Sequence, residues 1–222
     1  MGIFSFTPQG PGKGVSKNER KLKRPFLLFY LMLANFTKFI KLSMLFTLTC
    51  LPVITIGPSI CALTYISKNI AEDNPVFLIS DYFEHFKKNF FKGLASFIIT
   101  LVPAFSYFTL FFNVGAVPHF KMLLTPMLLI NFIMLIMSFY IYPLIVFYDI
   151  PLWAVFKNSF LFALIKLPLN LLVALLVIAI VILSFGIHPT VGYIIMPLFL
   201  VMFINYFTTF SVWPTIKKNM EE

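Results

Sequence analysis

The sequence predicts an all-α integral membrane protein that enters the bilayer several times. Three observations carry this. The 222 residues are 60% hydrophobic and only 11% charged, with a mean hydropathy of +0.94, whereas an average soluble domain carries about 25% charged residues. Several apolar runs reach the roughly 20 residues that a membrane crossing needs. Most lysines and arginines sit in short tracts beside those runs, as membrane orientation requires. One small core cannot bury this much apolar surface away from water, so lipid must cover it.

Four runs read as spans: Leu94 to Val114, Leu123 to Tyr148, Leu169 to Phe185, and Val191 to Trp213. The links between the paired spans are short, one containing Pro118 and His119, the other His188 and Pro189. Ahead of them, Phe26 to Ile66 is apolar but holds Lys38 and Lys41, and it is broken by the run Pro52 to Pro58. A lysine at mid-membrane costs about 2.5–3.5 kcal/mol, so both lysines belong near an interface. Two arrangements fit: a re-entrant hairpin over Leu42 to Ile66, or two tilted crossings that begin before Lys38. In either, Pro52, Gly57 and Pro58 form a structural turn, and the chain returns to its starting side.

That parity sets an orientation. With the N-terminus in the cytoplasm, Lys68, Lys87, Lys88, Lys92, Lys157, Lys166, Lys217 and Lys218 all fall on the cytoplasmic side together with the basic tail, and Lys121 alone falls outside. The opposite orientation reverses the positive-inside bias. The C-terminus is then cytoplasmic as well.

The chain divides into a disordered basic tail over 1–25, rich in proline, glycine and lysine, and a single membrane domain over 26–216. No small-residue cleavage site follows the first apolar run, so no removable signal peptide is expected. Within the domain, a hairpin (26–72) precedes two units, 77–148 and 151–213. Phe86-Lys87-Lys88-Asn89-Phe90 recurs 70 residues on as Phe156-Lys157-Asn158-Ser159-Phe160. The aromatics Phe83, Phe86 and Phe90 match Trp153, Phe156 and Phe160 at i, i+3, i+7, which places each trio on one helix face. Each unit therefore reads as an amphipathic interfacial helix followed by two membrane helices, the two units running in the same sense as parallel repeats do.

Chemistry is sparse. No Asp, Glu or Arg lies in the four spans, which argues against a proton relay or ion pump. Asn131, Ser138, Asn170, Asn205, Thr208 and Thr209 are the mild polar groups in or beside spans. Asn131 and Asn205 are read first as hydrogen bonds between helices, with a polar ligand as the alternative. His85, His119 and His188 are scattered without carboxylate or cysteine at ligand spacing. Cys50 and Cys61 read as small apolar residues rather than a disulfide framework. No G-x-S-x-G or H-E-x-x-H motif occurs. The sequence therefore predicts no enzyme, no cofactor and no metal. The net charge of +9 is placed as membrane orientation needs, so no nucleic-acid partner is expected.

The run Leu51-Pro52-Val53-Ile54-Thr55-Ile56-Gly57-Pro58, then Ala62-Leu63, then Asp81-Tyr82-Phe83 with Phe86-Lys87-Lys88-Asn89-Phe90-Phe91-Lys92-Gly93, resembles the YesL family of small integral membrane proteins of Gram-positive bacteria, a domain of unknown function. Phe156-Lys157-Asn158 with Leu167-Pro168 is also similar. The resemblance implies a bacterial cell-membrane location and, from the carbohydrate ABC importers commonly encoded nearby, an accessory role in sugar uptake. It supplies no catalytic residues. Two functions are expected to compete: a membrane subunit docking on an importer through Phe83, Phe86, Phe90, Trp153, Phe156 and Phe160, and a small-solute carrier or channel built from the two units. The partners are then membrane lipid, with importer subunits or further copies of the chain.

Overall fold

The computed structural model describes residues 24–113, 120–187, 190 and 199–221. Among these the chain is helical with no strand: α1 (Arg24–Ala34), α2 (Phe36–Thr49), α3 (Ile56–Ala71), α4 (Leu78–Lys88), α5 (Phe90–Asn113), α6 (Phe120–Phe147), α7 (Leu152–Ile165), α8 (Leu167–Ile187) and α9 (Val201–Glu221), with a short 3-10 turn at Val53–Thr55. It is an all-α polytopic membrane protein. Helices α5, α6 and α8 are long and apolar enough to cross a bilayer, and α1 with α2 forms a further apolar pair bent by 73°. The predicted spans Leu94 to Val114, Leu123 to Tyr148 and Leu169 to Phe185 correspond to α5, α6 and α8. The described part of the fourth, Val191 to Trp213, begins in α9, whose helix runs on to Glu221. Residues 1–23, with most of the expected tail, and the two links holding His119 and His188 lie outside the described residues. Arg24, expected in the tail, opens α1.

The repeat is deeper than two units. Three times a short helix ends at one residue and a longer helix starts at the next: at Asn35, Asn89 and Lys166. Their backbones nearly coincide, at φ −108°, ψ 19° for Asn35, φ −102°, ψ 15° for Asn89 and φ −115°, ψ 39° for Lys166. Side-chain amides donate to helix-end carbonyls at these bends, at the first two as a second donor beside the backbone N–H of the same asparagine. Asn35 Nδ2 donates to Leu31 O at 2.9 Å and Asn89 Nδ2 to His85 O at 3.1 Å. At the third bend Asn170, one turn later, donates to Phe162 O and Ala163 O at 3.2 and 2.9 Å. The first two bends share Asn-Phe-x-Lys (35–38 and 89–92).

Packing repeats in the same threefold way. The return helices α3, α6 and α9 pack on one another at the centre. Each outer helix packs on its own return helix and the preceding one: α5 on α6 and α3, α8 on α9 and α6, α2 on α3 and α9. Likewise α4 packs on α3 and α7 on α6, while α1 closes the ring on α9. There Pro214 has no N–H to give the Phe210 carbonyl four residues back, and Arg24 Nη2 donates to it at 3.2 Å, with its guanidinium 5.3 Å from the Phe210 ring. Tyr206 Oη donates to Leu28 O at 3.4 Å.

The expected turn needs correction. The connection between α2 and α3 occupies 50–55, closed by Thr55 Oγ1 donating towards Thr49 O and Pro52 O. Only Pro52 belongs to it. Pro58 lies in the first turn of α3, where its missing N–H costs nothing. Gly57 is a contact residue: a Cβ there would lie 2.2 Å from Gly93 O and 2.9 Å from Phe97 Cβ. Two glycines thus let α3 and α5 touch backbone to backbone, the close approach that membrane helices make through small residues.

This contact also sets the depth of the hairpin. From Phe97, beside the start of α3, α5 continues to Asn113, about 24 Å at 1.5 Å per residue. The hairpin stops partway along α5, with Leu51, Val53 and Ile54 exposed at its tip and Leu51 75% exposed. The first arm of the hairpin begins at Phe36, ahead of Lys38, rather than at Leu42.

Asp73 follows the end of α3 at φ 57°, with Asn74 N donating to Asn69 O at 2.9 Å. One further expectation shifts. The 70-residue motif match is also seven residues out of step with the structural bends, Asn89 and Lys166 being 77 apart. Seven residues are about two helical turns, so the match kept the face and lost the register.

A central cavity and the basic end of the bundle

The centre of the ring of return helices is not filled. A cavity of about 410 Å³ lies between α3, α6 and α9, with Phe46 of α2 and Val177 of α8 completing its wall. It sits at the start of α3 (Ile56, Ile60) and near the middle of α6 (Leu135 to Pro143). That volume lies within the range of about 300–1,000 Å³ typical of small-molecule sites.

Its walls are mainly aliphatic and aromatic. Towards the basic end, Asn205 of α9 accepts at Oδ1 from Ser67 Oγ at 2.7 Å and donates from Nδ2 to Thr64 Oγ1 at 3.2 Å. Thr64 in turn donates to Ile60 O at 2.8 Å. The amide expected to join helices does so, and it lines the cavity as well. Asn131 also joins helices, donating to Pro103 O of α5 at 3.1 Å. Ser138 and Thr208 turn back on their own helices, to Leu135 O at 2.6 Å and Ile204 O at 2.9 Å. Thr209, 2% exposed, lines the cavity and makes no hydrogen bond among the described residues. Pro143, also in the wall, leaves the Phe139 carbonyl without its helical donor. Among the described residues no charged side chain lines the space, and Tyr142 is the one titratable group in its wall. Such a site can hold a neutral molecule.

Beyond the cavity, the ends of α3, α6 and α9 meet in a polar aromatic cluster. Glu72 accepts from Lys68 Nζ at 2.8 Å and from Trp213 Nε1 at 2.8 Å. Lys68 Nζ lies 5.1 Å from the Phe147 ring centre and 5.2 Å from that of Trp213, within cation–π range. Burial pushes the Glu72 carboxyl up, but the hydrogen bonds from Lys68 and Trp213 and the charges of Lys68 and Lys217 outweigh it and hold the group below the usual range. His85 of α4 stacks on Tyr65 at 3.5 Å and is 8% exposed, with Nδ1 unpartnered among the described residues. Burial pushes its pKa down, the Lys88 charge adds to this, and the Glu84 and Asp81 carboxylates oppose it. Lys92 reaches Asp149 at 2.9 Å and ties the start of α5 to the link after α6. The lysines of α3, α4, α7 and the end of α9 therefore gather at one end of the bundle.

The six candidate docking aromatics do not form one surface. Phe83, Phe86 and Phe90 share a face and stack edge-on, at 6.5 and 5.8 Å. Only Phe83 is exposed, since the buried face of α4 is Tyr82, His85 and Asn89. Trp153, 82% exposed, and Phe160 are open on α7, with Phe156 half-buried. The most exposed apolar side chains around α4 are Phe77 and Ile79 at its start, outside the aromatic spacing that singled out the others. α7 is apolar nearly all round, its polar residues being Lys157, Asn158 and Ser159, so its sidedness is much weaker than that of α4. Among the described residues no group of His, Cys, Asp or Glu is placed to hold a metal. Cys50 and Cys61 are both free thiols.

No curated protein and no solved structure matches the chain. Residues 39–113, from α2 through the hairpin and α4 to the end of α5, match the family described as "Protein of unknown function, DUF624". That segment contains the Gly57–Gly93 contact and the Asn89 bend, and over it the chain is similar to DUF624, the family of YesL-like small membrane proteins.

Proposed function

We propose that this protein is a non-enzymatic membrane subunit that docks on the membrane part of a carbohydrate ABC importer in a bacterial cell membrane, with both termini in the cytoplasm. The observation that carries the reading is Trp153, almost fully exposed on a short helix at the lysine-rich end of the bundle. Buried aromatic anchors dominate protein interfaces, and α7 turns this one outward beside Lys157. The positive-inside bias assigns that end to the cytoplasm. Crosslinking in native membranes, followed by pull-down and mass spectrometry, tests the proposal. Stoichiometric recovery of importer subunits, lost in Trp153→Ala, supports it. Recovery of the protein alone, or only as further copies of itself, sinks it.

A carrier is the second reading, and the cavity favours it. The site lies where α3, α6 and α9 meet, and carriers bind their substrates at the interface between repeated units. Saturable solute uptake by purified protein in liposomes would establish this reading and displace the first.

A further inference from the structure

We infer that the central cavity is a binding site for an uncharged amphiphile with an aliphatic body and a hydroxyl head. This does not depend on the docking proposal. Most of the wall is hydrocarbon, from Ile60, Leu135, Val177 and Ile204 among others, and suits a chain rather than a polar solute. A free sugar carries a hydroxyl on nearly every carbon. Each one left without a partner in such a space costs on the order of 1–3 kcal/mol, and here Asn205, Thr64, Ser138 and Thr208 already bond to protein. An anionic lipid or a fatty acid would need a cation, and none lines the wall among the described residues.

Two further groups stand out. The Thr209 side chain, 2% exposed, has no hydrogen-bond partner among the described residues. The Phe139 carbonyl has lost its helical donor to Pro143. A hydroxyl can donate to a carbonyl and accept from a threonine, so an alcohol satisfies both kinds of group. A carboxylate can only accept, and a hydrocarbon does neither.

The test uses the full-length protein in phosphatidylcholine nanodiscs and a long-chain alcohol bearing a diazirine. The expected result is labelling of cavity peptides from α3, α6 and α9 that excess unlabelled hexadecanol competes away. Thr209→Val, which keeps the shape and removes the hydroxyl, should lower labelling about three- to tenfold, as loss of one intramembrane hydrogen bond allows, with the unfolding midpoint unchanged. Ile204→Phe should lower it further by filling the space. Should that variant fail to fold, the Thr209→Val comparison decides alone. Equal labelling by a diazirine alkane, indifferent to Thr209, would mean that lipid tails merely fill a gap, and the inference falls. Preferential labelling by the matching carboxylate, or by a photoreactive sugar, overturns the neutral-alcohol assignment.

Discussion

Helices α3 and α5 come from the same matched segment and lie against each other, yet they live in opposite surroundings. Eleven of the 16 residues of α3 are buried, against two of the 24 of α5. The buried helix is the less apolar one. Its interior is Gly57, Pro58, Ser59, Cys61, Ala62, Thr64, Ser67 and Asn69 with a few aliphatics, while α5 shows phenylalanine, isoleucine and leucine outward. In water, burial follows apolarity. In lipid no such drive separates helices, so small residues that allow close approach and polar residues that bond across helices mark the inside.

The largest test of that contrast is at glycine. Gly57→Ala drives a methyl into the Gly93 carbonyl and should cost about 3 kcal/mol, at the upper end for overpacking. Gly186→Ala on α8, where an added Cβ meets nothing within 4 Å, should be neutral or stabilise by about 0.5–1 kcal/mol. Reversible unfolding in detergent and SDS mixtures reads both. Equal effects would end the distinction between interior and lipid-facing helices.

The next test compares two asparagines, one on the outer helix α8 and one on the return helix α6. Asn170 of α8 is fully buried, donates to two carbonyls of α7 and accepts from Tyr140 Oη at 2.6 Å. Asn131 has one bond to another helix, to Pro103 O. Asn170→Leu should cost about 2–3 kcal/mol and Asn131→Leu about 0.6–1 kcal/mol, at roughly 0.6–1.7 kcal/mol per interhelical bond. The same unfolding assay would show a reversed order if the bend at Lys166 holds without Asn170.

These cases show how much could be read from the chain. The spans α5, α6 and α8 were legible because each is an apolar run long enough to cross a bilayer. The interior was harder. α3 looked like one arm of a hairpin, because its identity as a core helix rests on Gly57 meeting a glycine 36 positions away. The threefold bends were hidden because the third uses Asn170, one turn downstream, in place of an asparagine at the break. The cavity's polar residues were visible as mild groups within spans. Their convergence was not, since five helices build the wall. The aromatic spacing found a true helix face on α4 but could not tell which face looks inward.

A smaller effect concerns the polar end that caps this interior. Burial depresses the His85 pKa below its usual 6.5, so the unfolded chain takes up the proton first as pH falls. The stability that neutral His85 contributes is present above about pH 6.5 and is lost as pH falls through the lower folded value. Unfolding midpoints measured from pH 8 to pH 5 should decline in the wild type and decline less in His85→Phe, which keeps a ring beside Tyr65. Parallel curves would show that His85 does not titrate in this range.

The smallest expected effect lies just past α3. Asp73 holds φ 57°, a conformation glycine adopts without steric cost. Asp73→Gly should stabilise by up to about 1 kcal/mol, offset in part by the greater freedom of the unfolded chain. A loss of stability would show that the aspartate side chain matters more than its backbone.

The ring closes between α1 and α9, with Arg24 supplying the hydrogen bond that Pro214 denies Phe210. A ribosome makes α1 long before α9. Leu28 and Leu31, buried in the finished protein, therefore wait in the bilayer until α9 is made. The insertion of α9 is then the step that locks α1, and a chain stalled before Val201 leaves both the ring open and the cavity without its third wall.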